Sequence, residues 1–313
     1  MKSARIFAVL IAALCMLTLL PLAGALSIQL DPLSTTAGSS GSASVSSVND
    51  NYPISVEQAK NSVRVFMNDL TLEPTLDSTG SLETGNYYRL SVGPDTFNVN
   101  QNTGVVEFVH FGSNAPDSEN LTLTRDEAYA KATEYAGQKY EGFSAKSWKL
   151  VVDKVYSDYS YLCGEHSCER VDTKAYDFVL REEKDHVLLP NLVHVRVNPV
   201  TGAIVDYWGI NRLVTVGLDN TVSLSEATET AEQYLGIGSG SSFKISSSEA
   251  YLAVVTRYQN VENLAWVVKM NGYVPWDSNE RTYYAVVDAN DGSVLGNKWD
   301  AIWPEHELAY YLN

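Results

Sequence analysis

Three segments of the chain repeat one pattern of small and apolar residues at helical spacing. They open with the sequences ISVEQAK, LTRDEAY and VSLSEAT, which start at Ile54, Leu123 and Val222. From the shared alanine of each segment, small or apolar residues recur at offsets of 4, 7 and 8. Because an α-helix turns about once every 3.6 residues, these positions share one face. The pattern therefore predicts three related amphipathic helices.

Each predicted helix opens with a capping box. A Ser or Thr stands at the expected N-cap, and Gln or Glu follows three residues later; the N-caps are Ser55, Thr124 and Ser223. In such a box, the N-cap hydroxyl accepts a hydrogen bond from a backbone N–H of the first turn. The Gln or Glu side chain accepts one from the N-cap backbone N–H in return. The boxes predict where the three helices begin.

After each helix the pattern changes to alternating runs rich in Val, Tyr and Trp, which predict antiparallel strands with one covered face. The last two strands of each repeat are joined by a short turn in VNQNTGVVE, VNPVTGAIV and VDANDGSVL. We expect a glycine to provide the positive φ that each turn needs. The three turn glycines are Gly104, Gly202 and Gly292.

This recurrence predicts an α+β fold of three tandem units. We expect each unit to be one helix packed on a small antiparallel sheet, closed by a glycine hairpin. The predicted units and the C-terminal tail cover residues 52–112, 120–210, 221–300 and 301–313. Three copies of one unit suggest a repeated domain.

The N-terminus has the pattern of a secretory signal peptide. Lys2 and Arg5 precede an apolar run that Pro21 interrupts, and small residues follow. We predict a signal peptide over 1–25 and a Ser/Gly-rich linker over 26–51. An uncleaved membrane anchor is the alternative, because the apolar stretch is just long enough to span a bilayer. The expected location is secreted, extracellular or cell envelope, with N-terminal membrane anchoring as the alternative.

The charge of the chain argues against a polyanionic partner. The sequence has 22 Lys and Arg against 38 Asp and Glu, a net charge of −16, which becomes −18 once Lys2 and Arg5 leave with the signal. Such a protein repels nucleic acid and anionic membranes. A content of 45% hydrophobic residues, with 19 Tyr and 6 Trp, indicates packed structure rather than disorder.

Two cysteines remain after the predicted signal, Cys163 and Cys168. In an exported chain this pair predicts a local disulfide. A zinc site that adds His166 is one alternative, although zinc prefers four ligands and no other cysteine is available. A redox-active pair is the other alternative, although the spacing is not Cys-x-x-Cys. Asn120 begins the sequence NLT, a glycosylation site if the host modifies such sequences.

No sequence motif supports catalysis, a cofactor or a bound metal. The HELAY sequence has Tyr310 where a zinc peptidase needs its second histidine. The DANDG turn lacks the closing Glu of a calcium loop. His194 and Arg196 can share one face of a strand, and we expect them to form a half-exposed pair. No two carboxylates can be singled out as an acid–base pair, so we expect no enzyme activity.

The helix start S/T-x-x-E/Q-A and the hairpin Y-x-V-x-V-D-x-x-T-G-x-V together resemble the PepSY domain. That domain occurs in propeptides of thermolysin-type metallopeptidases and in many bacterial and archaeal envelope proteins. The closest match is YYAVVDANDGSVLG in the third repeat, whereas the other two have Asn100 and Asn198 where the family usually has Asp. The resemblance implies a helix packed on a small antiparallel sheet. It also implies binding and inhibition of peptidases outside the cytoplasm.

The leading hypothesis is a secreted or envelope-associated, non-enzymatic protein-binding module that acts on a peptidase or a peptide, without nucleic acid or cofactor. Membrane contact is expected only if the N-terminal segment stays uncleaved. Exposed Tyr and Trp residues, or an open edge strand, could provide the recognition surface. A structural cell-surface spacer is the alternative, and an enzyme of unrecognised type is the third possibility.

Overall fold

The computed structural model describes residues 53–82, 85–116, 119–163, 168–235, 244–257, 261–274 and 277–296. The predicted signal peptide, linker and C-terminal tail lie outside these ranges. Within them, the chain forms three α-helices and twelve strands, with two short 3-10 turns at Gly112–Asn114 and Phe143–Ala145. None of the described helices is long and apolar enough to cross a membrane.

Along the chain, each helix is followed by four strands. The first set is α1 (Val56–Met67), β1 (Thr75–Leu82), β2 (Gly85–Val92), β3 (Asp95–Asn100) and β4 (Val106–His110). The second set is α2 (Arg125–Lys139), β5 (Trp148–Cys163), β6 (Cys168–Lys184), β7 (Val187–Val197) and β8 (Ile204–Ile210). The third set is α3 (Leu224–Tyr234), β9 (Lys244–Arg257), β10 (Val261–Val274), β11 (Asp277–Asp288) and β12 (Val294–Gly296).

The three helices begin at capping boxes. In each box, the N-cap hydroxyl accepts from the N–H three residues later at 3.2–3.3 Å. The Gln or Glu at that position accepts from the N-cap N–H at 2.8 Å. Small residues let the helices approach the sheet closely, and six of them are fully buried: Ala59, Ala128, Ala132, Ala136, Ala227 and Ala231.

The strands do not form three separate small sheets. The twelve strands join in one mixed sheet in the order β1-β2-β3-β4-β8-β7-β9-β10-β11-β12, with β6 beside β7 and β5 beside β6. The expected fold class of three tandem helix-on-small-sheet units is therefore wrong, and the fold is dominated by its sheet. The physical reason is that every small open sheet leaves unpaired backbone groups at its edges.

Pairing between the repeats uses those edges. β4 pairs antiparallel with β8, through Phe108, Val109 and His110 opposite Trp208, Tyr207 and Asp206. β7 pairs with β9 in parallel over a short stretch near Val187 and Leu252. These contacts link groups that are far apart in the sequence, so local patterns do not reveal them.

Aromatic side chains from α1 and α2 meet over the β4–β8 junction. Phe66 and Tyr135 occupy the same position in their repeats, and their rings lie 5.7 and 5.5 Å from the ring of Tyr207. Phe97 and Phe111 extend the same core at 6.2 Å. The helices therefore cover one face of this part of the sheet, and the opposite face carries different chemistry.

Candidate functional site

The three glycine hairpins share one hydrogen-bond pattern. Gly104, Gly202 and Gly292 have φ of 72°, 73° and 75°, a region that favours glycine. Four residues before each glycine, an Asn or Asp side chain accepts from the backbone N–H groups two and three residues later, at 2.8–3.4 Å. Asn and Asp both accept these bonds through Oδ1, so the departure from the PepSY pattern at the first two turns leaves the turn intact.

Each hairpin is tied to the start of its helix. The residue before each N-cap donates its N–H to a hairpin carbonyl at 2.7–2.9 Å; the pairs are Ile54–Gln101, Leu123–Pro199 and Val222–Ala289. The carbonyl of that same residue accepts from an aromatic side chain of the second strand, at 2.8–2.9 Å, and the donors are Tyr88, Tyr176 and Trp266. The two recurring motifs thus form one structural clamp, whose aromatic donors the repeated sequence pattern does not reveal.

A row of alternating charges crosses five adjacent strands. Register pairing places Lys154 of β5 opposite Asp177 of β6, Asp177 opposite Arg196 of β7, and Arg196 opposite Asp206 of β8. Asp206 in turn lies opposite His110 of β4. We call these five side chains the charge ladder. They lie on the sheet face opposite α1 and α2, because the residues beside them in β4, β6, β7 and β8 belong to the core under those helices.

The ladder is tightly connected at its β4–β8 end. His110 Nδ1 lies 2.7 Å from Asp206 Oδ1, and Arg196 Nη1 donates to Asp206 Oδ2 at 2.9 Å. The hydrogen bond to Asp206 raises the pKa of His110. Arg196 also stacks on Tyr156, with the guanidinium carbon 4.2 Å from the ring centre. These contacts brace the junction between the first and second repeats.

The middle of the ladder is buried. The Asp177 side chain is fully buried and pairs with the ring of His194, while Arg196 Nε and Lys154 Nζ each lie 3.9 Å from its carboxylate oxygens. Burial alone would raise the pKa of Asp177, but the bond to His194 and the nearby Arg196 and Lys154 hold that pKa below its ordinary value. Asp177 therefore stays a carboxylate inside the fold.

The prediction that His194 and Arg196 form a half-exposed pair is wrong for His194. The two residues share the ladder face, but His194 is only 3% exposed, because its ring is packed against Asp177. Thr96 faces His110 across β3 and β4, yet its hydroxyl has no hydrogen-bond partner among the described residues. Within the described ranges, no group of His, Cys, Asp and Glu is arranged to hold a metal ion. The ladder has the features of a structural brace.

Past the end of β7, the strands β5 and β6 continue together as a two-stranded ribbon. Val197 of β7 pairs with Tyr176, whereas the β5–β6 pairing runs on to Cys163 opposite Cys168. We call residues 156–163 and 168–175 the ribbon. Tyr159 is 50% exposed, and Arg170 stacks on its ring at 4.2 Å. A polar groove of about 290 Å³ lies along this part of the ribbon.

β5 is also an edge strand. Among the described residues it pairs with β6 alone, over a strand of 16 residues. The Tyr159 N–H donates to Asp158 Oδ1 at 2.7 Å, as expected for an amide that points away from β6. Because alternate residues of a strand point the same way, the N–H groups of Val155 and Ser157 also point outward. This edge can therefore donate hydrogen bonds to another strand.

β1, the edge strand at the far side of the strands of the first two repeats, is less suited to pairing with another strand. β1 has only 8 residues, and its register shifts at Asp77 between Leu76 and Ser78. Asp77 accepts a hydrogen bond from Ser91 at 2.9 Å, which holds a charge in the bulge. Bulges and charges on a short strand are common protections against edge pairing. The contrast makes β5 the stronger candidate for binding.

Cys163 and Cys168 face each other across the β5–β6 ladder, where their backbones pair directly. Their side chains and the whole of His166 lie outside the described part, so the disulfide remains a prediction. Asn120 is exposed and precedes α2, and its glycosylation likewise remains a prediction.

No protein-family model matches the chain, and no curated protein matches it either. Solved structures that are similar to it at low identity include the following two. One is the C-terminal domain of YpeB from Bacillus megaterium, at 15% identity and a TM-score of 0.41, covering 81% of this chain and 100% of that one. The other is an uncharacterized protein from Eubacterium rectale, at 11% and 0.41, covering 76% and 80%. The resemblance to PepSY therefore continues to rest on the helix and hairpin motifs.

Proposed function

We propose that the protein is an exported, non-enzymatic binding module that captures an extended polypeptide segment along β5. The observation that carries this proposal is the long β5 edge, which pairs on one side only among the described residues. In strand addition, main-chain hydrogen bonds provide affinity and the alternating side chains provide specificity. Neither the main-chain hydrogen bonds nor the side-chain contacts require a catalytic group.

The side chains of β5 support the same function. Val155 and Tyr159 project on one face of the strand and are 40% and 50% exposed. An added strand would place its own alternate side chains beside them, and tyrosine is enriched at the energetic centres of binding surfaces. The outward N–H groups of Val155 and Ser157 would donate to its carbonyl oxygens.

The partner that we propose is an extracellular peptidase or a peptide, and this choice follows from the PepSY resemblance. A peptidase inhibited in this way would lose activity because its cleft is occupied or its extended segment is held, with no chemistry supplied by the inhibitor. Export by the predicted signal peptide would bring the protein into the same compartment.

The test measures binding of the exported protein to co-secreted peptidases and to extended peptides, together with inhibition of each peptidase. Val155→Pro and Ser157→Pro each remove one outward N–H from β5, and proline is tolerated on edge strands. We expect each to weaken binding at least about tenfold. Thr79→Pro, in the edge strand β1, is the matched control and should bind normally.

Two outcomes would count against the proposal. Unchanged binding in both β5 variants, with folding confirmed by circular dichroism, would exclude this edge as the site. Absence of binding to every peptidase and peptide would favour the alternative function, a rigid cell-surface spacer. The pairing of β4 with β8 and of β7 with β9 supports that alternative, because it joins the three repeats in one sheet.

A further inference from the structure

We propose that a second copy of this chain occupies the β5 edge in the unliganded protein. The two β5 strands would pair antiparallel, with Tyr156 of each copy at the centre of a two-fold symmetric interface. This inference rests on the proposed function in one respect, since both place an added strand on β5. It adds regulation, because a dimer formed in this way would cover the peptide-binding edge.

One face of β5 carries oppositely charged side chains on either side of a tyrosine. Lys154, Tyr156 and Asp158 follow one another on the face that carries the charge ladder. In an antiparallel pair centred on Tyr156, Lys154 lies opposite Asp158 of the partner subunit, and the symmetry repeats the contact. The strand is therefore complementary to itself in charge.

Other registers lose this complementarity. A pair centred on Val155 places Lys154 opposite Tyr156 of the partner subunit. A pair centred on Ser157 places Asp158 opposite that same tyrosine. A pair centred on Lys154 or on Asp158 brings like charges together, which is unfavourable for directly opposite residues. The register centred on Tyr156 is the one that forms two attractive pairs on this face.

Backbone geometry supports the same register. The N–H groups of Val155 and Ser157 point away from β6, so each can donate to the other strand on either side of Tyr156. Tyr156 and its copy then form a non-hydrogen-bonded pair, and so do Lys154 and Asp158. Side chains approach most closely in such pairs.

The groups that would pair are accessible. Lys154 is 48% exposed at the outer end of the charge ladder, and its ammonium lies 3.9 Å from Asp177. An ammonium group has three donors, so it can contact Asp177 and a second carboxylate together. Asp158 is exposed as well. Its carboxylate in the second copy would continue the alternation of charge beyond β5.

The dimer should be weak. One edge pairing buries less area than a stable interface needs, and a net charge of −16 on each full-length chain opposes association. Local charge pairs in such an interface set register more than affinity. A weak dimer suits a binding edge that must open for a partner.

The experiment measures the dissociation constant of the exported protein by sedimentation equilibrium over a wide concentration range. Asp158→Lys turns both attractive pairs into Lys–Lys contacts, and we expect it to raise that constant at least about tenfold. Adding Lys154→Gln removes the repulsion and should recover part of the loss. Lys154→Gln avoids a new carboxylate beside Asp177. Asp172→Lys, an equal charge change on β6, is the matched control.

A wild-type protein that stays monomeric at every concentration would overturn the dimer, as would a double variant that recovers nothing. Peptide binding is measured on the same samples. Loss of peptide binding in Val155→Pro without any wild-type dimer would reject only this inference. A dimer with no peptide or peptidase binding would instead reject the proposed function. Tighter peptide binding by Asp158→Lys than by the wild type would support both.

Discussion

Val109 and Tyr207 lie directly opposite each other at the centre of the pairing between β4 and β8. Val109 follows Gly104 by five residues, and Tyr207 follows Gly202 by the same number. The two residues are therefore equivalent positions of the first two repeats, and their contact lies on a local two-fold axis. Two copies of one edge thus pair with each other, and this pairing joins the first two repeats in one sheet.

Tyr207 should be one of the most important residues for stability at this junction. It is 2% exposed, and it contacts the rings of Phe66 and Tyr135. We expect Tyr207→Ala to lower the free energy of unfolding by about 3–5 kcal/mol, as for other buried aromatic truncations. Urea denaturation measures the change, with the exposed Val105→Ala as control. A loss as small as that of the control would contradict the role of Tyr207.

The buried part of the charge ladder should be more costly to break than its exposed end. Asp177→Ala leaves Arg196 and His194 without their shared carboxylate, and we expect a loss of about 3–5 kcal/mol in the free energy of unfolding. Lys154→Ala removes a half-exposed partner and should cost less than about 1 kcal/mol. Both values come from urea denaturation at neutral pH. Equal costs would show that the centre of the ladder is not the sensitive part.

His110 should contribute a small, pH-dependent part of the stability. Asp206 raises its pKa in the folded state, so the contribution is fully present below the unfolded value of about 6.5 and is lost as the pH rises through the folded value. Because the side chain is 42% exposed, we expect less than about 1 kcal/mol. Urea midpoints of the wild type and His110→Gln should converge as the pH increases. Parallel curves would argue against this coupling.

Local features of the fold could be predicted from the sequence. The helix starts and the turns at Gly104, Gly202 and Gly292 each depend on residues within a few positions of one another, so the chain displays the whole signal in one place. β1 shows no such local signal. Its sequence TLDSTGSL is polar and contains glycine, because an edge strand with two exposed faces needs no apolar alternation.

The features that depend on distant residues could not be predicted. The sequence HVRV shows that Arg196 stands near His194, but it does not show that Asp206 is the partner of Arg196. Asp206 also pairs with His110, and these two residues are 96 positions apart in the sequence. The same holds for the joining of β4 with β8, since the residues of β4 do not indicate which distant strand lies beside it. A sequence can show that three repeats have edges, and only the fold shows which edges meet.

The clamp between the hairpin and the start of the helix should make a local contribution to stability. The Tyr176 hydroxyl donates to the carbonyl of Leu123 at 2.8 Å, and Tyr176 is 6% exposed. We expect Tyr176→Phe to cost about 1 kcal/mol, because the carbonyl loses its donor while the ring still packs. Tyr129→Phe is the control, since the Tyr129 hydroxyl has no hydrogen bond in the described part of the chain. Equal unfolding midpoints for both variants would contradict the clamp.

The disulfide between Cys163 and Cys168 can be tested on the ribbon that it would close. Their backbones pair directly at the end of β5 and β6, and opposite Cβ atoms in such pairs are near the separation that a disulfide needs. We expect no alkylation of the exported, denatured protein before reduction, measured by mass spectrometry. Replacing both residues by Ser should cost about 2 kcal/mol, the entropy of a short closed loop. Amide hydrogen exchange should then rise in the ribbon, because an isolated two-stranded hairpin is marginally stable. Alkylation of both thiols without reduction would contradict the disulfide, and the ribbon would then be held by its hydrogen bonds alone.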